Sequence, residues 1–193
     1  MFFTQQFIKD LFWSLIFIAS WYGLTHNHII RPMPQPLPGN WSIQIMQHPL
    51  IFGITGHNYI ILRDPDSEIV SELHGLATNT ITGAWKYIGN DSSDILQVWE
   101  FNGPRSYLAE KSYPGIILSE GKYDDIISKW NKATACKKPI NEKRLPYPPF
   151  GLNLHGDSEN SNSVAYTLAI CMGTNAKHIG LFTPGEGINL LAK

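Results

Sequence analysis

HNYIILRDPDSEIVSELH, residues 57–74, is the stretch on which the reading of the fold turns. His57 to Arg63 reads as a strand, and Asp64-Pro65-Asp66-Ser67 is a turn sequence with proline at its second position. Glu68 to His74 returns as a second strand, so the whole is a β-hairpin. His57 stands eight residues before Pro65 and His74 eight after Asp66, a near-symmetric placement that predicts neighbours on adjacent antiparallel strands. Two imidazoles at one end of a hairpin meet the needs of a general base and the group that orients it. A structural histidine is the plainer reading of either one alone.

The neighbouring chain continues the strand pattern. WSIQIMQ (41–47) alternates apolar and polar residues, as a half-buried strand does. Residues 95–101 read as a further strand, 116–119 as a short one, and Gly89 to Ser93 as a loop. Tyr123 to Ala135 carries Ile126, Ile127, Trp130 and Ala133 at helical spacing. Residues 137–149, basic and then proline-rich, read as a surface loop. Val164, Ala165, Leu168, Cys171 and Met172 share one face of a second helix, which Gly173 ends. The expected fold class is α+β: an antiparallel sheet packed with a few helices, over residues 41–193.

Residues 1–30 differ in kind. Leu11 to Leu24 is apolar apart from Ser14 and Ser20, shorter than the ~20 residues that span a bilayer but long enough for a signal-peptide core. Trp13, Trp21 and Tyr22 suit membrane interfaces. RPMPQPLPGN (31–40) then reads as an extended proline-rich linker. A signal or membrane anchor followed by a tether is the expectation, with the domain on the extracytoplasmic side; a core helix is the competing reading.

Composition narrows the function. The 193-residue chain is 43% hydrophobic and 16% charged with a net charge of −1, which excludes a disordered chain and leaves no basic stripe for nucleic acid. Cys136 and Cys171 form no CxxC pair, so a zinc site is not expected; whether they are free thiols or one disulfide is a matter of geometry. Metal ligation by His57 and His74 with His155 or Asp157 has no ligand spacing to support it, and no cofactor is implied. Glu72 and Glu159 are expected to be solvated.

The cluster Asn160-Ser161-Asn162-Ser163 precedes the second helix. On a helical wheel Ser161 shares the core-facing side with Val164 and Leu168, whereas Ser163 points elsewhere. A first-turn serine lies where unpaired N–H groups and the helix dipole favour developing negative charge, so its neighbours could form an oxyanion hole. It needs a base, and His57 and His74 are the candidates. The competing reading is a helix cap and nothing more.

His57-x-x-Ile60-x-Leu62, a hairpin closing on Leu73-His74, and the late Asn160-Ser161-Asn162 helix start resemble the circularly permuted papain-like hydrolases. That superfamily includes lecithin:retinol acyltransferase-like enzymes and relatives of bacterial cell-wall peptidases. The resemblance covers roughly residues 41–173 and implies catalysis by Ser161, His57 and His74, with serine standing where the family has cysteine. Two functions follow: a membrane-anchored or exported hydrolase or acyltransferase acting on an amide or ester, or a catalytically inactive binding module on the same fold. Small-molecule, lipid and peptide substrates all stay open.

Overall fold

The computed structural model describes residues 34–50, 55–103, 113–153, 158–176 and 178–192. The expected N-terminal signal or anchor lies outside them, and no helix of the described residues is long and apolar enough to cross a membrane. The strands are β1 (Trp41–Leu50), β2 (Thr55–Arg63), β3 (Ile69–Asn79), β4 (Trp85–Lys86), β5 (Asp94–Asn102) and β6 (Gly115–Gly121). The helices are α1 (Tyr123–Ala135), α2 (Lys137–Glu142) and α3 (Ser161–Cys171), with a 3-10 turn at Pro149–Gly151. The class is α+β, as the alternation of the strands and the spacing of the helices predict.

The six strands form one antiparallel sheet in the order β4-β3-β2-β1-β6, with β5 also paired to β3. The 57–74 hairpin is its centre. Its turn is held by Asp64, whose Oδ1 accepts from the backbone N–H groups of Asp66 and Glu68 at 3.0 and 2.8 Å. Ser67 takes a left-handed conformation (φ 66°) that closes the turn.

Alternation sorts the sheet into two faces. Ile43, Ile45, Ile60, Leu62, Leu73 and Ala77 form one core with Val164 and Leu168 of α3. Met46, Tyr59 and Ile61 pack with Tyr113 on the other. The two face sets need β1 and β2 in register, and these pair continuously from Ser42↔Arg63 to Leu50↔Thr55.

The pairing of β2 with β3 is not continuous. It runs from Arg63↔Ile69 to Tyr59↔His74, and beyond it Ala77 and Thr78 pair with β4 instead. The first residues of β2 therefore lack a β3 partner. Into this gap α3 sends its first turn: the Asn162 side-chain oxygen accepts the Asn58 backbone N–H at 2.9 Å, standing in for the missing ladder bond.

Two expectations need correction. Residues 137–149 do not form a loop throughout, because Lys137–Glu142 is helical and buries Ile140 completely. Cys171 is half-buried rather than core, and it is joined to Cys136 in a disulfide with Cα atoms 6.7 Å apart. The end of α1 and the end of α3 meet in one layer, which the linear spacing of the cysteines does not reveal.

Candidate functional site

The hairpin does what its symmetry predicts. His57 and His74 lie on the same sheet face, with His57 Nε2 3.1 Å from His74 Nδ1. The rings stack at 5.4 Å between centroids, and both are fully buried. Tyr59 stacks on His74 at 4.6 Å, and Tyr87 meets His57 edge-on at 5.0 Å.

A third group completes the chain. Glu72 is fully buried, not solvated as expected, and its Oε2 lies 2.8 Å from His74 Nε2. It stands two residues before His74 and so shares its strand face, opposite Phe101 of β5. A carboxylate tolerates such burial only when hydrogen-bonded and paired. The spacing Glu72-x-His74 was a signal available in the sequence.

The order Glu72–His74–His57 sets the protons. The carboxylate accepts from His74 Nε2–H, which leaves a lone pair on His74 Nδ1. That lone pair accepts from His57 Nε2–H, so the lone pair of neutral His57 resides on Nδ1. His57 Nδ1 is buried and makes no hydrogen bond. Burial above all, then the charges His74 and His48 would carry, hold the His57 imidazole well below its ordinary pKa and keep it neutral.

Ser161 opens α3 on the other side of the gap. Asn160 caps the helix: its Oδ1 accepts from the Asn162 and Ser163 N–H groups, while Ser163 Oγ takes the Asn160 N–H at 2.8 Å, a complete capping box. The cap belongs to Asn160 and Ser163, so Ser161 has no capping duty. Its Cα lies over Gly75, where a Cβ would come within 2.9 Å of it and 2.7 Å of Val164. Residue 75 must be glycine for α3 to sit this low.

Ser161 and Tyr147 border one small cavity, and the Tyr147 hydroxyl donates to the Tyr87 carbonyl at 3.3 Å. No hydrogen bond joins Ser161 to either imidazole, since His57 Nδ1 has none and both nitrogens of His74 are engaged. The structure thus brings His57 to His74, and Ser161 to a cavity shared with Tyr147 and Tyr87. Burial pushes the Tyr147 phenol up to about 12, so it stays protonated.

A small cavity adjoins Ser161, bordered by Gly56, Tyr87, Tyr147, Asn160 and Asn162, with about 20 Å³ of space. That is room for roughly one water. Two loops close it, and the Asn160 side-chain amide ties them by donating to the Gly151 carbonyl at 2.7 Å and the Pro184 carbonyl at 2.8 Å. Tyr147 carries no local signal in the sequence: it arrives from a proline-rich segment through tertiary packing. Among the described residues no cluster of His, Cys, Asp or Glu could hold a metal ion; His155 and Asp157 lie outside them.

No family model, curated protein or solved structure matches the chain.

Proposed function

We propose that this protein is an exported or membrane-anchored acyl-transferring enzyme, a hydrolase or acyltransferase of amides or esters, with Ser161 as nucleophile, His57 as base and His74 as its orienter. One observation carries the reading: the buried Glu72–His74–His57 chain that ends in an unpartnered lone pair on His57 Nδ1. A buried acceptor without a partner is costly, and a base awaiting a proton is a use for it.

In the reaction Ser161 Oγ attacks the carbonyl carbon while its proton passes to His57 Nδ1. His74 and Glu72 stabilise the imidazolium through the hydrogen bonds already in place. The Ser161 N–H at the start of α3 is the donor for the oxyanion, since the Asn162 and Ser163 N–H groups are taken by the cap. Collapse of the tetrahedral intermediate returns the proton from His57 to the departing nitrogen or oxygen. Water, or an acceptor alcohol or amine, then attacks the acyl-serine with the same base. The Cys136–Cys171 disulfide supports an oxidising compartment, in keeping with the N-terminal signal or anchor read from residues 1–30.

A fluorophosphonate probe applied to the full chain tests this. The wild type should be labelled at Ser161, His57→Ala should abolish labelling, and Ser163→Ala should retain it. A second reading, the inactive binding module, is favoured by the lack of any hydrogen bond between Ser161 and either imidazole. An unlabelled wild type that also turns over no activated ester or amide would establish that reading instead.

A further inference from the structure

Tyr147 stands at a boundary. With Phe150 and Leu152 it lines the one-water cavity at Ser161, and the same three residues line a neighbouring groove of about 750 Å³. The groove walls are Pro146, Pro148 and Pro149, with the carboxylates of Asp91, Asp94 and Glu159 and no Lys or Arg. Asp94 is matched by Lys86 at 2.8 Å; Asp91 gives the groove a negative edge.

The Ser161 N–H is the one N–H of the first turn that the cap leaves for an oxyanion, and Tyr147 borders the cavity beside it. Tyr147 thus stands between the Ser161 cavity and the groove. Its ring is buried in the main core, and its hydroxyl is held by one 3.3 Å hydrogen bond to the Tyr87 carbonyl. The loop that follows carries backbone strain. Phe150 is held in a left-handed conformation (φ 56°) with 64% of its surface exposed, a backbone state a bulky residue avoids unless its surroundings impose it.

We propose that Tyr147 is a gating and specificity-determining residue: the apolar, non-anionic part of the substrate lies in the 146–152 groove and displaces the Tyr147 phenol to reach Ser161. Movement of one ring would join the cavity to the groove. The proposal rests on the reading of Ser161 as the reacting group, and its test reads access to position 161 without requiring catalysis.

The full chain carrying Ser161→Cys is treated, without reductant, with methanethiosulfonates bearing a neutral, a cationic or an anionic tail. Added Tyr147→Phe should speed modification about fivefold, the change in an open–closed equilibrium expected when one ordinary hydrogen bond is lost. Tyr147→Ala should speed it further, and the anionic reagent should be the slowest of the three in every variant. Unchanged or slower modification in both Tyr147 variants, with melting temperatures near the parent's, would overturn the gate. Equal rates for the three tails would overturn the groove as the route. Fast, Tyr147-dependent modification in a protein that fluorophosphonate never labels would sink the hydrolase reading and leave the gate standing.

Discussion

His57 is the residue whose state decides the chemistry. Its neutral form is favoured by burial, so its folded pKa lies below the unfolded value of about 6.5. The sign follows: above about pH 6.5 the group costs nothing, and as pH falls below it the unfolded chain binds the proton more readily. Chemical-denaturation stability should therefore fall on acidification from pH 7 to 5, by at most about 1.4 kcal/mol per pH unit for one proton. His57→Gln should flatten that slope; an equal slope in the variant would assign it to other groups. The acid limb of kcat/KM should lie below pH 6.5, since a depressed base stays unprotonated there. Glu72→Gln weakens the polarisation of His74 and should lower kcat by roughly a hundredfold while the fold persists, the low end of what general acid–base catalysis supplies. A kcat unchanged in Glu72→Gln would make the carboxylate structural.

Helix α3 is the element that assembles the site, and three contacts set its place. Asn160 both caps it and ties the two closing loops through Gly151 and Pro184. Asn160→Ala should cost about 2 kcal/mol or more, the upper range for a cap, because the two loop bonds go with it. Gly75→Ala tests the packing: the new methyl would meet Val164 at 2.7 Å, and overpacking of this kind costs about 1–3 kcal/mol. A Gly75→Ala protein that melts with the wild type would mean α3 can ride higher on the sheet without loss. The disulfide holds the far end of α3. Replacing Cys136 and Cys171 by serine opens a loop of 35 residues, and the chain-entropy relation gives a loss of about 3–4 kcal/mol. Comparison of urea midpoints reads all three effects.

At the scale of the molecule, the proline segment is tied to the sheet. Leu37 donates its N–H to the Glu120 carboxylate at 3.1 Å, and β1 starts at Trp41. Among the described residues, every strand of the sheet and every helix follows that point. Removal of residues 1–33 should leave a protein that unfolds cooperatively at nearly the full chain's temperature. Loss of a cooperative transition would mean that the N-terminal segment belongs to the core, and the reading of it as a signal or anchor would fall with that.

The amino-acid sequence by itself determined the hairpin, because a Pro-Asp turn between two strand-forming runs is a local matter of backbone preference. The pairing of His57 with His74 followed from counting along it, and the helix start at Asn160 from side chains that bond their own backbone. Glu72 was legible through its two-residue spacing from His74 but was read as solvated, since burial depends on Phe101 from a distant strand. What only the tertiary structure decided is everything joined across long loops: the Cys136–Cys171 bond, the departure of β2 from β3 that admits Asn162, and the meeting of Ser161 and Tyr147 at one cavity. Those contacts are set by how the sheet twists apart and which segment fills the opening. Periodicity carries no record of that, because it reports which face a residue takes and not what will cover it.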